Sequence, residues 1–313
     1  MDSQDDDRFF SRVRPDPAAS AQDGDRLSFK PIGVKLLSTN TTVFMENLSA
    51  FDGAVLSFNF ASQSEHDMDG SAVMVAPGIA LSAKHVVEPH LSRLVDGGKH
   101  ALCLGLAKAG MNVWGVRTMS MLNYCDIAIL GLELRSELPG DRTFRQASIS
   151  TRLPKIGERV QIVGFRAAAA TREDGADGPG YGIDAKLFVS AGVVTNRYPE
   201  RRDSVMLPWP VLEVDCPSWG GMSGGPVFDE HGHLIGLLCS SFSEESGNGP
   251  SYVSLLWPAL TASFEGGWPA EAFQGSRTLQ EMAPKMCRID RPEVVRRIAD
   301  EFGGSKTIYE SWE

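Results

Sequence analysis

The chain has 313 residues, 42% of them apolar, and a net charge of −10. That apolar content fills one large β domain or two small ones in tandem. The acidic balance, with no Lys/Arg cluster to offset it, argues against sequence-independent nucleic-acid binding, and no apolar run reaches the roughly 18 residues of a membrane span.

Residues 1–27 hold seven Asp and no aliphatic run, which predicts an unstructured acidic leader. This start also lacks an apolar stretch of signal-peptide length, so the chain is expected to stay in the cytoplasm. From Phe29 the pattern turns strand-like. GVKLL (Gly33 to Leu37), AVLSFNF, SAVMVA, HALCLGLA, NVWGVRTMSM and DIAILGLE are apolar or β-branched runs of strand length, separated by Asn, Asp, Gly and Ser. Six strands before residue 135 suit one closed antiparallel barrel over 28–137. Residues 138–154 read as a crossing linker.

A second set of strands follows over 155–262: ERVQIVGF, KLFVSAGVVTN, VMLPWPVLEVD, PVFDEHGHLIGLLCSSF with a hairpin tip at His231–Gly232, and SYVSLL. The fold class is therefore all-β, with two six-stranded antiparallel β-barrels in series and short C-terminal helices. Residues 166–186 read as a long glycine- and charge-rich loop, of the kind that is often functional. Residues 263–313 read as a helical extension. PALTASFE begins a closing helix, and RPEVVRRIADEFGG has Asp290 as N-cap, Pro292 in the first turn, Val294, Ile298 and Phe302 on one face, and Gly303 as C-cap.

The stretch VDCPSWGGMSGGPVF, from Val214 to Phe228, sets Ser223 among Gly220, Gly221, Gly224 and Gly225. Glycines permit positive φ and let a substrate carbonyl approach main-chain N–H groups. A lone serine is a poor nucleophile, so the reading needs a base and an orienting acid. LSAKHVV supplies His85 and CDIAIL supplies Asp126. The three stretches, in the order His, Asp, Ser, resemble the chymotrypsin-fold serine proteases, and VGF, SAGVV, Asp215 and HLIGLL carry the likeness toward the HtrA-type branch.

That resemblance implies a serine endopeptidase acting on protein or peptide substrates from a cleft between the barrels. Ser223 would be the nucleophile, His85 the base and Asp126 its orienting acid, with the N–H groups of Gly221 and Ser223 as oxyanion hole. It also implies a specificity pocket with Pro217 as floor, Ser218 beside it, and Cys239, Ser240 and Ser241 along the wall. With no carboxylate on the floor, a small or medium apolar side chain before the scissile bond is expected. HtrA-type enzymes switch by loop ordering, so an activating protein partner acting through the 166–186 loop is expected as well. The fifty or so residues after the second barrel are too few for the PDZ domain that such enzymes append.

GMSGG also fits the Gly-x-Ser-x-Gly pattern of α/β-hydrolases, but that fold needs its acid and histidine after the serine, and only His231 and His233 follow. His90 and His100 compete with His85, yet neither ends an apolar strand. Cys103, Cys125, Cys216, Cys239 and Cys287 make an odd count without CxxC spacing, which predicts reduced thiols. No metal or cofactor is expected, because His231 and His233 are only a pair. Two further readings stand beside the protease: a protease-fold module that binds a partner without cutting it, and a dedicated effector cutting one partner protein.

Overall fold

The computed structural model describes residues 9–12, 26–37, 41–44, 51–62, 65–108, 110–166, 170–175, 178–183, 186–241, 249–270, 272–299 and 305–312. Twelve strands form its frame. In the first half these are β1 (Val55–Ala61), β2 (His66–Ala76), β3 (Ile79–Ser82), β4 (His100–Ala107), β5 (Gly110–Met121) and β6 (Ala128–Leu134). They close antiparallel in the order β1-β2-β3-β6-β5-β4. In the second half, β7 (Arg159–Arg166), β8 (Lys186–Tyr198), β9 (Val211–Asp215), β10 (Pro226–Phe228), β11 (Leu234–Ser241) and β12 (Pro250–Leu255) close in the order β7-β8-β9-β12-β11-β10. Closure removes the open edges that such short strands would otherwise present. Two six-stranded antiparallel barrels thus stand in series, as the apolar runs predict.

The elements outside the barrels act as staples. Phe29, Trp114, Phe144 and Trp268 come from the leader strand, the first barrel, the crossing segment and the extension. Phe29 stacks on Phe144 at 5.4 Å, and Trp114 meets Phe144 at 5.3 Å and Trp268 at 5.7 Å. Burying rings of this size dominates core energetics, so one aromatic layer ties four segments to one barrel. The crossing segment is more ordered than a linker. Thr143–Gln146 pairs with Arg26–Pro31, and Ile149 pairs with Leu234 and Ile289.

Four local expectations are corrected. Within the leader, Phe9–Arg12 is a strand paired with Arg26–Phe29, and Leu27 and Phe29 are fully buried; the rest of the leader lies outside the described residues. Gly33–Leu37 is assigned to no strand and is held by Leu37 N–H donating to Gln161 Oε1 at 3.0 Å and by Arg159 donating to the Leu37 carbonyl. Within 166–186, Ala170–Gly175 and Gly178–Ile183 pair as a hairpin rather than running as a loop. The helix expected after Asp290 is a 3-10 turn, Pro292–Val294, followed by a hairpin of Val295–Ala299 and Ser305–Tyr309. The helices of the C-terminal region are single turns at Trp257–Leu260 and Leu279–Met282. Phe302 and Gly303 lie outside the described residues. Among the described residues no helix is long and apolar enough to cross a membrane.

Candidate active site

His85 sits in the one-turn helix Lys84–Val87 that β3 leads into. Asp126 lies in the tight turn before β6, closed by Leu122 N–H to the Ile127 carbonyl at 3.0 Å. This carboxylate, 5% exposed, is bound twice by one residue: Oδ2 lies 2.7 Å from His85 Nδ1, and Oδ1 accepts the His85 backbone N–H at 2.9 Å. The second bond fixes the helix start; the first selects the imidazole tautomer. A carboxylate can only accept from a neutral ring, so Nδ1 carries the proton and Nε2 is left as a lone-pair base.

Ser223 projects from the glycine turn between β9 and β10. Met222 N–H donates to the Trp219 carbonyl at 3.1 Å, and Gly221 has φ 88°, which is the type II arrangement that demands glycine at its third position. The N–H groups of Met222, Gly224 and Gly225 all donate, to Trp219, Leu238 and Met222 respectively. Those of Gly221 and Ser223 donate to no acceptor among the described residues. Backbone donors in so closed a turn are nearly always paired, so these two N–H groups are candidates to bind an oxygen atom.

The two barrels meet under this turn. A Cβ on Gly70 would lie 2.6 Å from Val86 Cγ1 and 3.0 Å from the Ser223 carbonyl oxygen, and one on Gly224 would lie 2.3 Å from the Ser71 carbonyl oxygen and 2.7 Å from Ala83 N. Only glycine at both positions lets the His85 helix and the Ser223 turn come this close. No hydrogen bond joins the Ser223 hydroxyl to His85 among the described residues, a looseness common before substrate binds.

Ser71 is a site residue that the sequence did not announce. Fully buried, its hydroxyl donates to the Gly221 carbonyl and accepts from Phe165 N–H, both at 2.9 Å, while its N–H donates to the Ser223 carbonyl at 2.7 Å. One residue of the first barrel thereby holds the Gly221–Ser223 turn in place. Its only sequence signal is a hydroxyl in the apolar run SAVMVA. Ser71→Ala is expected to cost about 1–3 kcal/mol in a urea melt, because Phe165 N–H and Gly221 C=O lose their partner. It should lower kcat more than it raises KM, and an unchanged kcat would refute the positioning role.

Of the five residues expected around the specificity pocket, Pro217, Ser240 and Ser241 are half-buried. Ser218 and Cys239 are buried, Cys239 in a small cluster with Leu207, Val211 and Tyr252 apart from the main core. The Ser218 hydroxyl pairs with that of Ser251 at 2.8 Å, and Cys239 Sγ donates to the Tyr252 carbonyl at 3.2 Å. Burial pushes the Cys239 thiol up to about 12, and all five cysteines are buried free thiols. His90 stacks on Phe60 at 3.9 Å and bonds Asp69; His231 and His233 flank the hairpin tip. Asp67, Asp69 and His90 stand close enough to share a cation, but Lys99 already bonds Asp67.

Residues 70–237 match the trypsin-like peptidase domain family. The Homo sapiens peroxisomal leader peptide-processing protease is 24% identical over 202 residues, which cover 61% of this chain and 30% of that protein. The chain therefore matches less than a third of that relative's length. Among solved structures, Deg5 superposes with a TM-score of 0.45 at 16% identity, covering 66% of this chain and 84% of that one. The HtrA-type protease AlgW with a tripeptide gives 0.45 at 20% identity, covering 67% and 58%.

Proposed function

Because the chain belongs to the trypsin-like peptidase family, we propose that it is a serine endopeptidase that cleaves peptide bonds through an acyl-enzyme. The observation that carries this reading is the twofold grip of Asp126 on His85 beside a serine turn with two unspent N–H groups. Ser223 Oγ attacks the peptide carbonyl carbon while its proton passes to His85 Nε2. The carbonyl oxygen, now an anion, takes the N–H groups of Gly221 and Ser223, each worth about 3 kcal/mol in comparable sites. His85 then hands the proton to the amide nitrogen, the C–N bond breaks, and the amine leaves. Water, deprotonated by the same imidazole, attacks the ester and regenerates Ser223.

One relative is named for processing leader peptides, and limited cleavage of one partner protein is the role we adopt here. Five free thiols support a reducing compartment such as the cytoplasm. An apolar side chain before the scissile bond fits a pocket whose floor is Pro217 and whose inner hydroxyl, on Ser218, is already bonded. Digestion of a peptide library by the full chain checks this. Cleavage after small or medium apolar residues is expected, and a preference for Arg or Lys would sink the pocket assignment.

A further inference from the structure

Strand β2 carries one residue more than its partner β1. Ser57 faces Ser71 and Phe58 faces Gly70, but Asn59 faces Met68, so Asp69 is the extra residue of a β-bulge. Bulges re-aim a side chain out of the regular alternation, and they gather beside active sites. Here the re-aimed carboxylate, 43% exposed, meets His90 Nε2. A carboxylate only accepts, so the ring donates this bond through Nε2.

His90 belongs to the same segment as His85. The one-turn helix Lys84–Val87 runs on through a 3-10 turn, Glu88–His90, into a further turn of helix, Leu91–Val95. The His90 ring, 12% exposed, lies flat on the fully buried Phe60 of β1, with centroids 3.9 Å apart. Three successive residues of β2 therefore reach both halves of the candidate site. Asp69 bonds His90, Gly70 lies where a Cβ would meet Val86 and the Ser223 carbonyl, and Ser71 N–H donates to that same carbonyl. Other charged groups of these elements engage one another: Lys99 holds Asp67 and Glu65, Arg93 holds Glu65, and Lys84 holds Glu88.

We propose that Asp69 and His90 are positioning residues for the Ser223 chemistry: the bond at the bulge pins the His85 segment to the strand that holds the Ser223 turn, and so sets the approach of the imidazole to the serine. Its effect on rate rests on the peptidase reading; the pinning itself does not. A misplacement of about 1 Å can cost about a hundredfold in rate, whereas an ion pair as exposed as this one adds little to global stability. Loss of the bond is therefore a kinetic lesion in a folded protein.

The test compares Asp69→Ala with Asp69→Asn, whose amide oxygen can still accept from His90 Nε2. Both are made in the full chain, and inactivation by a fluorophosphonate is resolved into kinact and KI. Asp69→Ala is expected to lower kinact about tenfold with KI changed less than about twofold, and Asp69→Asn to stay within about threefold of the parent in both. The thermal midpoint of either variant should match the parent's. Amide hydrogen exchange gives a reading without catalysis. The His85 N–H, bonded to Asp126, and the Ser71 N–H, bonded to the Ser223 carbonyl, should exchange at least about threefold faster in Asp69→Ala and at the parent rate in Asp69→Asn. An unchanged kinact in Asp69→Ala, a loss confined to KI, or a loss that Asp69→Asn fails to rescue would each overturn the positioning role. So would unaltered exchange at both amides. If the parent chain takes no fluorophosphonate, it is the peptidase reading that fails, and the exchange comparison still decides whether the bond pins the segment.

Discussion

Replacing Ser223 by alanine is expected to lower kcat on a peptide amide by about 10⁶-fold, and Asp126→Asn by about 10⁴-fold, with little change in KM for either. The two losses have different causes. Without the Ser223 oxygen no acyl-enzyme forms, and only the N–H pair of Gly221 and Ser223 and substrate binding still lower the barrier. Asparagine at 126 keeps the shape but can turn an N–H toward Nδ1, where the carboxylate could only accept. The ring then protonates on Nε2 and loses the lone pair that would take the serine proton. Combining the two substitutions should add almost nothing to Ser223→Ala, since the residues act as one unit. Stopped-flow and steady-state assays on one peptide ester and the matching amide would separate acylation from binding. A tenfold loss or less for Ser223→Ala would remove it from the chemistry.

Arg152→Ala is expected to destabilise the fold by about 3–5 kcal/mol, read as a shift in the urea midpoint at constant m. Arg152 lies in the crossing segment with 9% of its side chain exposed, between Glu158 at 6% and Asp229 at 0%. Its guanidinium grips Glu158 with both terminal nitrogens, one at 2.7 Å, and reaches Asp229 at 3.1 Å. Asp229 in turn accepts the N–H groups of His231 and His233, so one arginine ties the crossing segment to β7 and to the β10–β11 hairpin. Removing it strands two buried carboxylates, which costs far more than the ion pair's net worth.

The pH dependence has a definite sign. Burial pushes the Glu158 carboxyl up, but bonds from Arg152 and from Lys155 N–H outweigh it and hold the group below its ordinary value. The unfolded chain therefore binds more protons there. The contribution to stability is complete above the unfolded pKa of about 4.3 and is lost as pH falls through the lower folded value. In Arg152→Ala burial prevails, and this part of the acid dependence should shrink or change sign.

The barrels were legible because each strand carries its own apolar run and each turn its own Gly, Asn or Asp, from Val55–Phe60 to Ser251–Leu255. His85, Asp126 and Ser223 were singled out because His85 follows the apolar run of β3, Asp126 opens that of β6 and Ser223 precedes that of β10, in the order His, Asp, Ser. What escaped depends on contacts remote in sequence. Val294, Ile298 and Phe302 are spaced for a helix, yet the β-branched Val294, Val295 and Ile298 suit a strand as well. Pairing with Ser305–Tyr309 decides for the strand, with Arg291 at φ 47° breaking any helix before it starts. Glycines in 166–186 suggested a loop, but antiparallel partners turn even that composition into a hairpin. Ser71 was hidden because its partners, Gly221 and Phe165, lie about a hundred residues away or more.

The most direct test of the central claim is labelling of the full chain with a fluorophosphonate, which esterifies only an activated serine. Labelling that maps to Ser223 and vanishes in both Ser223→Ala and His85→Ala is the result predicted by the Asp126–His85–Ser223 arrangement. Labelling that persists in His85→Ala, or an intact fold that never labels with or without a partner present, would contradict it and leave a protease fold that binds without cutting.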